Sequence, residues 1–184
     1  MISLHADVSQ ILRAKQLLSH IPKGLQTALK YSGKRTLEMM RTDAVQAVTR
    51  EYVIKPGKVR KTITIRANQL GGMFMSRGRR VNLSDYRISP KKIPVRHGLT
   101  AQVKHEGGMK TIPRGFLIPG RNSGKLLAFS RIGRARMDIK QLVSPAVPQM
   151  LENEEVSQEI LNEAEKNFAD RLRHEVMRQL GVIR

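Results

Sequence analysis

The sequence contains no cysteine and no tryptophan, and only four Phe and three Tyr. Without cysteine there are no disulfides, no thiol nucleophile and no thiolate metal site, as suits a reducing compartment. The shortage of aromatics argues against a platform that stacks single-stranded bases. No run approaches the roughly eighteen apolar residues that a membrane-spanning helix needs. The start, "MISLHADVSQ", lacks the basic opening and continuous apolar stretch of a secretion signal. A soluble chain acting where it is made is the expectation. Acids are also missing from the middle: residues 54–140 hold 21 Lys and Arg against only Asp85, Glu106 and Asp138. So few carboxylates exclude paired-acid catalysis and an acid cluster for magnesium in that region.

What the chain does have is positive charge. It carries a formal +19 on 184 residues, with a pI near 11.1. Such a balance implies a polyanionic neighbour or an acidic protein surface. From Glu152 onward eight acids face five bases, so that segment is −3 and the preceding residues carry +22. The segments "MSRGRR" and "RIGRARM" place arginines beside glycines, which lets a loop bring forked donors close to phosphates or carboxylates. A single run of this kind reads as a solvated loop. Their accumulation over nearly ninety residues points instead to repulsion offset by a partner. Arg77, Arg79, Arg80, Arg121, Lys125, Arg131, Arg134 and Arg136 are the candidate contacts to DNA or to an acidic partner.

Two features resemble chemistry and fail its requirements. "IPGRNSGKLLAFS", residues 118–130, has the composition of a phosphate-cradling loop. However, Gly120 precedes Gly124-Lys125 by three residues rather than four, and Leu126 stands where a magnesium-binding hydroxyl belongs. The stretch reads as a hairpin turn between two apolar strands. The histidines, His5, His20, His97, His105 and His174, lack the i, i+4 spacing of a helical zinc site. His105-Glu106 is a close His–carboxylate pair, and it has no nucleophile beside it in the sequence. No enzyme, no cofactor and no metal is expected.

The order of elements predicts a single α+β domain over 1–184. Val8, Ile11, Leu12, Leu18 and Ile21 recur at helical spacing after a possible cap at Asp7, up to Pro22. A second, long helix follows from Leu25 through Val48 to Tyr52 despite Gly33, near thirty residues or about 45 Å at ~1.5 Å per residue. Beyond "KPGK" the pattern alternates, with Ile63 and Ile65 against Thr and Arg. Short runs at "GGMFMS", "RVNLSDYRI", "TAQVKH", "RGFLIPG", "KLLAFSRI" and "RMDIKQL" suggest an antiparallel, hairpin-connected sheet with long loops. Residues 66–100 read as an extended basic loop or arm. The last element is expected to start near Val147 and to carry Val156, Ile160, Ala164, Phe168, Leu172, Val176 and Leu180 up to Gly181. Its slowly drifting stripe suits packing on the sheet or on a neighbouring subunit.

Around the expected hairpin, "RGFLIPGRNSGKLLAFSRIGRARMDIKQLVSPAVPQM" resembles the C-terminal half of the phage minor tail protein Z family, the tail completion proteins. Phe116, Gly124, Phe129, Arg131, Gly133, Arg136, Ile139, Leu142, Pro145, Val147 and Pro148 occupy the family's motif places. Met137-Asp138 and Ser144-Pro145-Ala146 depart from it, where the family has Leu/Met-Pro and Gly-Pro-Ser. "REYVIKPGKVRKTITI" agrees more loosely with the family's first half. The resemblance implies a structural virion protein without catalytic residues, at the head-proximal end of a phage tail. It also implies a homo-oligomeric ring, hexameric by analogy with neighbouring tail rings, between tail terminator and head–tail connector proteins. Such a ring would border the phage DNA channel, hold DNA independently of sequence, and assemble in the host cytoplasm with no membrane involved. The charge alone also suits a free, sequence-independent nucleic-acid-binding protein.

Overall fold

The computed structural model describes residues 8–68, 71–91, 93, 98–120, 124–133 and 138–183. Two helices open the chain, α1 (Val8–Leu17) and α2 (Gly24–Glu51), so the long second helix has 28 residues and spans about 42 Å at ~1.5 Å per residue. Its buried face, Ala28, Ser32, Thr36, Leu37, Met40, Ala44, Ala47 and Val48, follows the helical period. Ser32 and Thr36 are tolerated there because each hydroxyl donates to the carbonyl one turn back, at 2.7 and 2.9 Å. The expected cap Asp7 lies outside the described residues.

Behind α2 comes a short helix that the sequence reading did not contain, α3 (Pro56–Thr62), with proline in its first turn, where a missing N–H costs nothing. The strands then follow as β1 (Ile63–Asn68), β2 (Gly71–Ser76), β3 (Arg80–Asn82), β4 (Arg87–Ser89), β5 (Leu99–Gln102), β6 (Lys110–Ile112), β7 (Gly115–Pro119), β8 (Leu126–Arg131), β9 (Ile139–Gln141) and β10 (Val143–Ala146). A 3-10 turn, Leu83–Asp85, separates β3 from β4 and splits the run "RVNLSDYRI" in two. Instead of one sheet, the described residues form four small antiparallel ones: β1-β2, β3-β10, β4-β5-β6 and β7-β8-β9. Within 66–100, β2 pairs with β1 from Ser76↔Ile63 to Gly71↔Asn68, and β3 pairs with β10.

The expected hairpin at 118–130 is formed. Pro119 lies opposite Leu126, and Gly120 N–H donates to the Lys125 carbonyl at 2.8 Å. Gly124 has φ +60, a conformation open to glycine at little steric cost.

The trailing helix is broken rather than continuous. α4 (Val147–Leu151) stops, and α5 (Glu154–Gln179) restarts with Asn153 as its cap, the side-chain oxygen accepting from Glu155 N–H at 3.1 Å. The stripe on α5 also meets a different partner from the one expected. Val156, Ile160 and Ala164 are buried against Met40, Ala44, Ala47 and Val48 of α2, so the helix packs on a helix and not on a sheet. Their core extends through Val59 of α3, Ile63 of β1 and Met150 of α4. A second core, Leu83, Ile88, Leu99, Ala101, Leu117 and Ala128, joins the two three-stranded sheets. A third, Ala14, Leu18, Ala28, Leu172 and Val176, ties α1 to the far ends of α2 and α5.

Candidate polyanion-binding surface

The candidate basic residues fall into separate places. Arg77, Arg79 and Arg80 lie in and just after the turn from β2 into β3, all exposed. The turn is fixed by its backbone: Arg77 N–H donates to the Thr62 carbonyl at 2.9 Å, and Gly78 passes so close to Thr62 that an added Cβ would lie 3.1 Å from its methyl. No ion pair joins these three guanidinium groups to a described residue. They therefore present uncompensated positive charge from a well-anchored loop.

Arg131 ends β8 and is exposed, with its guanidinium 5.4 Å from the centre of the Phe116 ring. Phe116 and Phe129, cross-strand partners, stack at 6.2 Å, so the cation lies against an aromatic pair. Lys125 precedes the other end of β8, about 20 Å away at ~3.3 Å per residue. Its ammonium pairs with Asp85, which also takes Lys58 from α3. Asp85 is 10 % exposed at its side chain. Burial by itself would raise the carboxyl pKa, but hydrogen bonds and charge from Lys125 and Lys58 outweigh it and hold the group below its ordinary value. Arg121, Arg134 and Arg136 lie outside the described residues.

Among the described residues, the candidates are therefore not gathered into one cluster. The structure brings Lys125 to Lys58 and Asp85, across 67 residues of chain, and leaves Arg131 at the other end of the strand. Lys58 and Asp85 were not among the candidates. A signal for them exists in the sequence: Asp85 is the only acid between Glu51 and Glu106, and an isolated carboxylate in so basic a stretch has cations to choose from.

Acidic charge collects elsewhere. Asp43 of α2 faces Glu159 and Glu163 of α5, with Arg50 bonded to Glu159 at 2.7 Å. His105 is exposed, and its backbone N–H and carbonyl are taken by Glu51 and Gln102, so the His105-Glu106 pair belongs to a bend anchored to the end of α2. Among the described residues no group of three His, Asp or Glu side chains is placed to hold a metal ion, and no helix is long and apolar enough to cross a membrane. No protein-family model matches the chain, and neither a curated protein nor a solved structure matches it.

Proposed function

We propose that the protein is a structural subunit of a tailed-phage virion, completing the tail at its head-proximal end and contacting the DNA channel or acidic neck proteins through its basic surface. The observation that carries the reading is exposed arginine side chains with no ion-pair partner among the described residues. The β2–β3 turn and the end of β8 expose Arg77, Arg79, Arg80 and Arg131, while the acids Asp43, Glu159 and Glu163 lie on the paired helices α2 and α5. Exposed guanidinium groups of this kind attract a polyanion. Contacts of this kind are independent of base sequence, which suits a conduit that holds DNA without reading it. The motif likeness between residues 114 and 150 supports the same reading.

The test is to locate the chain in purified particles and to remove it. Particles made without it are expected to carry heads and tails that join poorly or deliver no DNA, and labelled protein is expected at the neck. Normal infectivity without the protein sinks the proposal. Its absence from purified virions, combined with tight binding to nucleic acid in the cell, would favour a free nucleic-acid-binding protein instead.

A further inference from the structure

We propose that the cavity around Asp85 is a seat for a phosphate group of a polynucleotide backbone, with lysines as its cationic rim. The cavity measures about 440 Å³ and gathers Lys55, Lys58, Lys91 and Lys125. These residues come from the segment before α3, from α3 itself, from the chain after β4 and from the start of β8. Four ammonium groups around one carboxylate leave a formal excess of three positive charges in a concave site, where a low-dielectric wall focuses the field.

The inner pair is pre-organised. Asp85 fixes the ammonium groups of Lys58 and Lys125 by ion pairing, so neither has to be ordered when an anion arrives. An ammonium has three donors, and Lys58 spends one on Asp85, leaving others for a ligand. Beside them, Ser84 lines the cavity with an Oγ that is shielded from bulk solvent and has no hydrogen-bond partner among the described residues. An orphaned hydroxyl of this kind is costly, and a turn about χ1 that carried it into the cavity would let a phosphate oxygen satisfy it. Tyr86, Ile88 and Leu126 complete the lining; the Tyr86 hydroxyl is already bonded to Ser144 at 2.7 Å, and the apolar surface accommodates the sugars on either side of a phosphate.

Arginine binds carboxylate and phosphate alike as a planar fork, whereas lysine acts as a point charge that accepts an anion from several directions. The choice of phosphate over carboxylate therefore rests on the polyanion reading above, and polyglutamate competes with it in the test. No arginine lines this cavity among the described residues. The site thus differs in kind from the arginine turn at Arg77, Arg79 and Arg80.

This inference rests on the polyanion-contact reading above, and the experiment separates the two. Binding of the full-length protein to a short labelled duplex is measured as a function of salt for the wild type and for Lys55→Gln/Lys91→Gln. The same measurement is made for Ser84→Ala and for a control, Lys34→Gln/Lys166→Gln, which removes equal charge from the exposed surfaces of α2 and α5. Lys55 and Lys91 are exposed and outside the Asp85 pairs, so their loss leaves the fold intact. The cavity variant is expected to bind roughly tenfold or more weakly at ~0.1 M salt, with a salt slope shallower by about one, since a single phosphate contact contributes about 0.9. Ser84→Ala is expected to lose affinity with the slope unchanged, because it removes a neutral donor. The control is expected to change both far less. Equal losses in cavity and control variants overturn the cavity while leaving the polyanion reading standing; no duplex binding by the wild type overturns the cavity as a polynucleotide seat and leaves acidic protein as the contact of the proposed function. Tight binding of inorganic phosphate alone, with duplex affinity unchanged in the cavity variant, overturns the proposal in favour of a free-anion site. Binding of polyglutamate in place of duplex, dependent on the same lysines, overturns it in favour of an acidic protein segment.

Discussion

Asp43 and Asp85 are carboxylates pushed in opposite directions, and the contrast makes both testable. Burial raises the Asp43 pKa, and repulsion from Glu163 and Glu159 adds to it. A raised folded pKa means that the charged form is worse tolerated in the fold than in the unfolded chain. The resulting cost is therefore full at neutral pH and disappears as pH falls through the raised value to below about 4. Asp43→Asn keeps an acceptor for the Asn167 amide, now at 3.3 Å, and is expected to raise Tm at pH 7 with the gain gone at pH ~3.5. For Asp85 the folded pKa is lowered, so its contribution is full above about 4 and is lost as pH falls further, through the folded value. Asp85→Asn is expected to cost about 1–2 kcal/mol at pH 7, between an exposed and a fully buried ion pair, because both lysines keep partial access to water. That loss should shrink at acid pH. Thermal melts of both variants across pH read the signs directly, and parallel behaviour of the two would contradict the assignment.

Elements differ in how openly the sequence announced them. The long period of α2 and the alternation at Ile63 and Ile65 were legible because one buried face repeats over many residues. Seven-residue α3 offers too few turns to show a period, and β10 hides behind Pro145. The break between α4 and α5 was masked because apolar spacing carries on across it, although Asn153 is a good cap. Partner choice was not legible either: a stripe at Val156, Ile160 and Ala164 fits a helix or a sheet equally, and only the fold sets α2 against it. Two glycines separate packing from propensity at this scale. At Gly115 a Cβ would lie 2.8 Å from Leu99 Cβ and 3.0 Å from the Ile112 carbonyl oxygen, neither of which can swing away. Gly115→Ala is therefore expected to cost about 1–3 kcal/mol by forcing β7 from β5. Gly33, within α2, has nothing within 4 Å of a built Cβ, so Gly33→Ala is expected to stabilise by roughly 0.5–1 kcal/mol. Urea unfolding of the two variants should move the midpoint in opposite directions.

For the molecule as a whole, charge is the property that the sequence declares and the fold arranges. The basic residues were visible as a list, but Lys55, Lys58, Lys91 and Lys125 span seventy residues and meet only because α3, the 3-10 turn and the β7–β8 hairpin converge. Spacing along the chain carries no trace of that meeting. The net +19 makes the folded state work against its own repulsion, since compaction brings like charges within reach of one another. Salt screens such charges over about 10 Å at ~0.1 M, so Tm of the isolated protein is expected to rise as salt increases from low millimolar to ~0.3 M. A polyanion that binds the native state is expected to raise Tm further at low salt, through mass action, and to lose that effect as salt competes for its phosphates. The two trends cross: added salt stabilises the free protein and weakens the complex. Differential scanning fluorimetry with and without a short duplex, over a salt series, measures both. A Tm indifferent to salt in the free protein would mean that the positive side chains are already spaced beyond mutual reach, and the need for an opposing negative surface would vanish with it.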